Sequence, residues 1–328
     1  MSSATMTSSN DARRDFLRAS PLLMPYVYFA CFVVLILLLK PNVLIGPGML
    51  QNRIALIVPL AFVAFGQTLV VVSRGIDLSV GGVMSLCSAL LATHLNHDGP
   101  LLAIDLVLIL ALGGAIGLVN GLLIANLKLQ PFLVTLATWT IGGGFAFAVL
   151  PVEGGAPSPM LIGALQGKLL GVPVSGIMLV GLFLVWFWAR RSVFFIDLIA
   201  IGSDEGRAWL TGVRVNRRKI QSYVLTGMLA AAAAIWLTAQ SATGSPRVGD
   251  EYILASIVAV VLGGTSIFGG TGSAASSVTG AMAYMLIPVA VYALQLQSYW
   301  SIAIQGIVLM FAVVANAGAQ SLVRGAGK

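Results

Sequence analysis

Charged residues are scarce in this sequence. Asp, Glu, Lys and Arg together make up 9% of the 328 residues, whereas 58% are hydrophobic. Soluble domains carry charge on roughly a quarter of their residues, and the mean hydropathy here is +0.98. So few charges cannot cover the surface of a soluble fold. The composition therefore excludes a soluble globular protein and predicts an integral membrane protein.

Cysteine and histidine are nearly absent, with two of each. Cys31 and Cys87 fall inside apolar runs, which is typical of small core residues and excludes a disulfide framework. Neither His94 nor His97 has the neighbours of a metal site, and no nucleophile–base pair is visible. The nearest approach to a phosphate-binding loop, GALQGKL at 163–169, has the wrong glycine spacing and lacks the final Ser or Thr. We therefore predict no enzyme, no cofactor and no metal.

Long apolar runs recur from one end of the chain to the other. Runs of about 20 residues are typical of membrane-spanning helices. The sequence therefore predicts an all-α polytopic membrane protein with about ten transmembrane helices. The two spans that flank GGTSIFGGTGS could also be half-helices or a re-entrant hairpin. The predicted spans are 22–39, 53–73, 78–95, 101–124, 131–150, 173–189, 220–240, 252–268, 274–293 and 298–317.

Basic residues are distributed unevenly between the two sides of this topology. With the N-terminus in the cytoplasm, fourteen of the 18 Lys and Arg residues fall on the cytoplasmic side. Such an excess obeys the positive-inside rule and places both termini in the cytoplasm. The formal charge of +7 therefore reflects topology, and we predict no nucleic-acid binding. Residues 1–21 and 318–328 are expected to be cytoplasmic tails flanking a transmembrane domain over 22–317.

The longest predicted cytoplasmic loop, 190–219, contains the phrase SDEGRAWLTG. Ser203 or Asp204 can cap a short helix, Glu205 lies in its first turn, and Gly212 can end it. We predict an amphipathic helix over 203–212 that exposes Trp209. It either docks on a partner or lies on the lipid headgroups.

The phrase SRGIDLSVGG at 73–82 places an aspartate between two apolar runs. Gly75 can adopt a left-handed conformation, and Asp77 can then cap the next helix, with Ser79 close by and Arg74 as an ion partner. Gly81 and Gly82 would allow close helix packing. Alternatively, a broken helix here brings polar groups beside a water-lined path.

Four phrases of the chain, in order between about residues 60 and 280, resemble the sugar-type permeases of bacterial ABC importers, the group for ribose, xylose and galactose. They are GQTLVVVSRGIDLSVGGVMSL, GLVNGLLIANLKLQPFLVTLAT, AIGSDEGRAWLTGVRVNRRKIQSYVLTG and VVLGGTSIFGGTGS. Two positions depart from the group's pattern, since Asp204 replaces its usual Asn and Arg207 its usual Ala.

The resemblance implies the ABC-importer permease fold and a place in the bacterial inner membrane. It also implies separate ABC ATPase subunits, a periplasmic or extracellular sugar-binding protein, and a second permease chain, identical or related. The ATPase would receive the 203–212 helix, which makes the coupling residues Ser203, Asp204, Glu205, Arg207, Trp209, Leu210 and Gly212.

Polar residues within the apolar runs are candidates for lining or gating a path for a neutral polyol such as a monosaccharide, since intramembrane polar groups seldom face lipid. Each could equally hold helices together. Two alternatives stay open: a related permease for nucleosides or branched-chain amino acids, and an ion-coupled secondary transporter. The second is disfavoured because the acids crowd the span ends. The candidates are Gln67, Thr68, Asp77, Ser79, Asn120, Thr135, Thr138 and Trp139.

Overall fold

The protein is described by a computed structural model that covers residues 25–46 and 48–325, without the side chains of 312, 313 and 315–325. The predicted N-terminal tail lies outside the described residues. These residues form helices joined by short loops, with one hairpin whose two strands have two residues each. The elements are α1 (Pro25–Leu39), α2 (Asn42–Ile45), α3 (Met49–Val72), α4 (Ser79–Thr93), α5 (Pro100–Ala125), α6 (Pro131–Val149), α7 (Pro159–Gln166), β1 (Lys168–Leu169), β2 (Val172–Pro173), α8 (Val174–Ala189), α9 (Val193–Ser203), α10 (Glu205–Leu210), α11 (Val215–Ser241), α12 (Asp250–Leu262), α13 (Ala274–Ala293) and α14 (Tyr299–Gly325).

Five of the described helices are long and apolar enough to cross a membrane: α3, α5, α6, α11 and α13. A sixth span results if α8 and α9, which meet at 75°, are counted as one broken segment. Each of the ten predicted spans overlaps a helix. However, α12 has only 13 residues and is therefore about 20 Å long, shorter than the roughly 30 Å hydrocarbon core. The protein is thus a polytopic helical membrane protein, and ten spans stay a prediction.

The helices differ sharply in how far the chain itself buries them. The apolar windows of α3 and α13 are 83% and 78% buried, whereas those of α5 and α6 are 33% and 22% buried. Helix α11 packs against α3 and α5, α4 packs against α6, and α12 and α13 pack on α3. Helix α3 is therefore the central helix of the fold.

Glycines allow the closest helix approaches. A Cβ atom added at Gly82 of α4 would lie 2.7 Å from the Trp139 carbonyl oxygen of α6. A Cβ added at Gly81 would lie 2.5 Å from the side chain of Ile253 in α12. Small residues let membrane helices gain contact where burial from water offers little. The prediction that Gly81 and Gly82 serve close packing is confirmed.

The chain leaves helical structure between α3 and α4, at the 73–78 segment. The left-handed residue there is Arg74, with φ of 64°, so the prediction of a left-handed Gly75 is wrong. Gly75 is required for space, because a Cβ would lie 2.5 Å from the Tyr223 hydroxyl and 2.6 Å from Val70 Cγ1.

The predicted short helix over 203–212 is confirmed as α10. The Asp204 side chain accepts a hydrogen bond from the Arg207 N–H at 3.0 Å and is the N-cap. Ser203 instead ends α9. Gly212 follows the helix with φ of 88°, a conformation that glycine adopts without strain.

The turn at 263–273 joins α12 to α13, since α12 ends at Leu262 and not at 268 as predicted. The Gly270 N–H donates to the carbonyl of Val72 at 2.9 Å. The turn therefore lies at the same end of the molecule as the end of α3 and the start of the 73–78 segment.

Candidate functional site

A network of mostly buried polar side chains joins the 73–78 segment to three helices. Asp77 Oδ1 accepts hydrogen bonds from the Ser79 N–H at 2.9 Å and from Ser79 Oγ at 2.5 Å. Asn120 of α5 donates from Nδ2 to Ser79 Oγ at 2.9 Å, and accepts at Oδ1 from Thr138 Oγ1 of α6 at 2.6 Å. Asp77 thus satisfies the N–H of Ser79, the first residue of α4, although the N-cap residue is Leu78 and not Asp77 as predicted.

Two further candidates hold the backbone of the same segment. Gln67 of α3, with its amide oriented so that both ends are paired, donates to the Asp77 carbonyl at 3.1 Å and accepts from the Asp77 N–H at 3.3 Å. Thr135 donates to the Ile76 carbonyl at 3.3 Å and to its own helix. Thr68 is not part of the network, because its hydroxyl bonds the Ala64 carbonyl of its own helix at 2.7 Å. We name Gln67, Asp77, Ser79, Asn120, Thr135 and Thr138 the polar network.

Most of these side chains are closed off from solvent. Gln67, Asn120 and Thr135 have no exposed surface, so in this conformation their hydrogen bonds hold helices together. Two polar atoms beside the network, Asp77 Oδ2 and the Tyr223 hydroxyl oxygen, are buried without a hydrogen-bond partner among the described residues. Buried polar atoms are normally satisfied, so these two make the network incomplete.

Arg74 does not pair with Asp77, contrary to the prediction. Its Nε donates to the carbonyls of Gly202 at 2.7 Å and Phe268 at 3.1 Å, and an Nη donates to the carbonyl of Ser203 at 2.8 Å. The arginine therefore joins the 73–78 segment to the end of α9 and to the 263–273 turn.

Trp139, a candidate that remains partly exposed, contacts Asp250, one of the acids predicted to lie at a span end. Its indole Nε1 donates to Asp250 Oδ1 at 3.1 Å. Trp139 is about 12 Å from the start of α6, near the middle of this 19-residue helix. Asp250 therefore lies beside the middle of a span. Asp250 is also the first residue of α12, where the N-terminal end of the helix stabilises an acid.

A groove of about 560 Å³ lies between α12, α13 and α14. Asp250 and Glu251 line one side, Tyr284 another, and Ser301 and Gln305 the third. Both carboxylates are exposed, and the described residues include no ion pair to either. Most of the remaining lining is apolar, including Val258, Met285 and Leu309, so the groove combines a few groups able to bind hydroxyls with an apolar wall.

The 203–212 segment is anchored by charge on one side. The Glu205 carboxylate lies 2.6 Å from Lys219 Nζ of α11 and 3.8 Å from Lys128 Nζ in the loop before α6. Partial burial disfavours the ionised form of Glu205. The Lys219 hydrogen bond and charge, with the charges of Lys128 and Arg74, outweigh it and lower the pKa. Glu205 therefore ties α10 to two other elements.

The other side of the 203–212 segment is apolar and open. Ala208 is buried against Ile201 of α9 and Val215 of α11, and this contact fixes the buried face of α10. Trp209 and Leu210 are 68% and 75% exposed. Arg207, which pairs with Asp204 at 2.9 Å, lies on the exposed face as well. The segment thus presents two large apolar side chains and an arginine on a rigid base.

Comparisons with known proteins assign this architecture. Residues 49–313 match the family described as "Branched-chain amino acid transport system / permease component". The chain is 34% identical over 298 residues to the ribose import permease protein RbsC of Bacillus subtilis (strain 168), covering 88% of this chain and 91% of that protein. No solved structure matches.

Two further relatives cover similar lengths. The fructose import permease protein FrcC of Rhizobium meliloti is 30% identical over 318 residues, covering 92% of this chain and 86% of that protein. The probable ABC transporter permease protein y4mJ of Sinorhizobium fredii (strain NBRC 101917 / NGR234) is 32% identical over 264 residues, covering 78% of this chain and 77% of that protein. The chain therefore belongs to the family of branched-chain amino acid transport system permease components.

Proposed function

We propose that this chain is the permease subunit of a binding-protein-dependent ABC importer and forms the path for a monosaccharide or similar neutral polyol. ATP hydrolysis would take place on separate partner subunits. The ribose and fructose permeases among the relatives support the substrate class. The chain itself is then a transport subunit and not an enzyme.

The observation that carries the proposal is the exposed apolar pair on the anchored 203–212 segment. Trp209 and Leu210 bury little surface within their own chain, although α10 is capped and its base is packed. A short rigid helix with an exposed Trp209 and an exposed Arg207 suits a groove on a partner protein, because Trp and Arg are frequent among the residues that carry most binding energy. The proposed coupling residues are Ser203, Asp204, Glu205, Arg207, Trp209, Leu210 and Gly212.

The proposed topology has ten spans, both termini in the cytoplasm and the 190–219 loop on the cytoplasmic side of the bacterial inner membrane. It is supported by the contacts of Lys128, Arg74 and the 263–273 turn with the 203–212 segment, because this topology assigns all of them to one side. The ATPase would bind the exposed face of the 203–212 segment. The sugar-binding protein would bind at the opposite end, and a second permease chain would complete the path.

The proposed path runs past Trp139 and Asp250. An indole can stack on the apolar face of a sugar ring, and a carboxylate accepts hydrogen bonds from its hydroxyl groups. The other candidates, most of them buried, are proposed to gate the path. They are Gln67, Thr68, Asp77, Ser79, Asn120, Thr135 and Thr138.

One observation favours a second substrate class. The exposed carboxylates of Asp250 and Glu251 could pair with the ammonium group of a branched-chain amino acid, the substrate class named in the family description. Family membership also favours either ABC substrate over an ion-coupled secondary transporter.

The test is purification of the tagged chain from its host in mild detergent, with mass spectrometry of the associated proteins and uptake of labelled ribose, fructose and leucine. We expect an ATPase to co-purify and a sugar to be taken up. Glu205→Lys, which places a third cation beside Lys219 and Lys128, should abolish both without affecting membrane insertion. The matched control is Arg217→Glu, an exposed charge reversal on α11. A chain that purifies alone, even after cross-linking in the membrane, would contradict the proposal.

A further inference from the structure

Arg74 holds together two elements that are far apart in sequence. Its guanidinium binds the carbonyls of Gly202 and Ser203, the last two residues of α9, and the carbonyl of Phe268 in the 263–273 turn. The end of a helix leaves carbonyl groups without an internal partner and carries partial negative charge. The planar guanidinium therefore clamps the junction between α9 and α10, at the start of the helix that carries the exposed Trp209 and Leu210.

The backbone at Arg74 is unusual and explains why an arginine side chain matters there. Its φ of 64° is a left-handed conformation that costs a residue with a Cβ atom free energy. Such conformations persist where the surroundings hold them, and they concentrate at functional sites. A glycine would adopt this backbone without strain, so the side chain is what position 74 offers.

The backbone packs closely around Arg74. The Gly270 N–H donates to the Val72 carbonyl at 2.9 Å. A Cβ atom at Gly202 would overlap the same Val72 carbonyl, and one at Gly269 would lie 2.5 Å from Arg74 Cγ. The end of α3, the end of α9 and the turn therefore meet backbone to backbone, and a shift of α9 must move the 73–78 segment.

The opposite end of the 73–78 segment enters the polar network. Asp77, three residues after Arg74, is bonded through its backbone to Gln67 and through its side chain to Ser79. Ser79 in turn binds Asn120, which binds Thr138, the neighbour of Trp139. The 73–78 segment thus connects the N-terminal end of α10 with the side chains beside the proposed path.

We infer that Arg74 is a positioning residue that transmits movement of the α9–α10 junction through the 73–78 segment to the polar network. The inference rests on the proposed function, because it requires a partner that moves α10. The two unpartnered atoms, Asp77 Oδ2 and the Tyr223 hydroxyl, fit an element with a second arrangement in which they are satisfied.

The test uses the whole transporter, purified with its ATPase and reconstituted in lipid vesicles with its binding protein. Arg74→Lys keeps the charge but not the forked donor geometry, and Arg74→Gly keeps the backbone conformation but not the clamp. Both should retain the ATPase and hydrolyse ATP at close to the normal rate, while substrate moved per ATP falls about tenfold or more. Arg217→Lys and Arg217→Gly, at an exposed arginine, should change neither.

Each other outcome has a defined meaning. A normal ratio of uptake to ATP hydrolysis in both Arg74 variants overturns the inference. So does an equal fall of both activities together with the melting temperature, since that marks a purely structural role. If Arg74→Gly yields no protein, Arg74→Lys and Arg74→Gln decide. If the wild-type chain retains no ATPase, or if Glu205→Lys behaves normally, the proposed function fails instead.

Discussion

The polar network and the 203–212 segment lie at opposite ends of the 73–78 segment and differ in how they satisfy their side chains. In the network, Asn120 is wholly buried and each end of its amide bonds another helix. In the segment, the charged base is paired, but Trp209 and Leu210 remain 68% and 75% exposed.

This difference separates residues that stabilise the fold from residues that bind outside it. A side chain whose partners lie in its own chain contributes to the stability of the fold, and losing it leaves other buried groups unsatisfied. A large apolar side chain of a loop helix without such partners contributes little to folding, so its contribution lies in binding a partner protein or the lipid surface. Mutations in the two regions should therefore separate stability from transport.

We expect the strongest loss of transport from removing the exposed apolar pair Trp209 and Leu210. The double substitution Trp209→Ala and Leu210→Ala should abolish ATPase co-purification and lower uptake a hundredfold or more, because hot-spot side chains dominate binding. The melting temperature of the permease alone should not change, since neither side chain is packed.

The control for this prediction is Trp188→Ala in α8, a tryptophan that is 84% exposed but lies outside the 203–212 segment. It should retain both the ATPase and uptake. A double variant that unfolds would mean that the exposed pair stabilises the fold and would remove the distinction between the two regions.

Close packing between α6 and α4 can be tested with two neighbouring glycines of α6. A Cβ atom at Gly142 would lie 3.0 Å from the backbone of Gly82, whereas one at Gly143, the next residue of α6, would meet nothing within 4 Å. Gly142→Val should push α6 away from α4 and lower the free energy of unfolding by about 1–3 kcal/mol, as overpacking does. Gly143→Val should melt like the wild type. Thermal unfolding in detergent measures both, and equal melting temperatures would contradict the close packing.

Much of this arrangement could be predicted from local signals. The caps and stops of α10, the role of Asp77 at the start of α4, and the packing glycines Gly81 and Gly82 all follow from residue types at fixed spacing. Each of these features depends on neighbours along the chain or on the absence of a side chain. Local chemistry therefore predicts them without knowledge of the tertiary fold.

Features that depend on distant contacts were missed. Asp250 lies beside the middle of α6 because the chain runs along α4 before α12 begins, as the bond from the Gly249 N–H to Ser85 Oγ at 3.1 Å shows. The partners of Arg74 come from 128 to 194 residues away. In both cases the sequence offers a charged residue near an apolar run, but its partner is determined by helix packing.

A smaller effect is expected at Asp77, where the two explanations of the polar phrase diverge. Asn can accept the same hydrogen bonds from Ser79 and caps helices about as well as Asp. Asp77→Asn should therefore retain uptake within about threefold and normal protein levels. Asp77→Leu, which cannot accept these hydrogen bonds, is the matched variant and should lose uptake. Loss of uptake in Asp77→Asn at normal protein levels would instead indicate a role that requires the charge.

The smallest expected effect is a pH dependence confined to the exposed region. The Arg207 N–H, the largest cause, and the Arg207 charge lower the pKa of Asp204 below its usual range. A group with a lowered folded-state pKa stabilises the fold above its unfolded pKa of about 4. That stabilisation is lost as pH falls through the lowered value. Amide exchange over 204–211 should therefore be slower in the wild type than in Asp204→Ala at pH 7, and the difference should disappear in acid. A difference that persists in acid would mean that the protonated Asp204 side chain still caps α10, so that the cap does not require the ionised carboxylate.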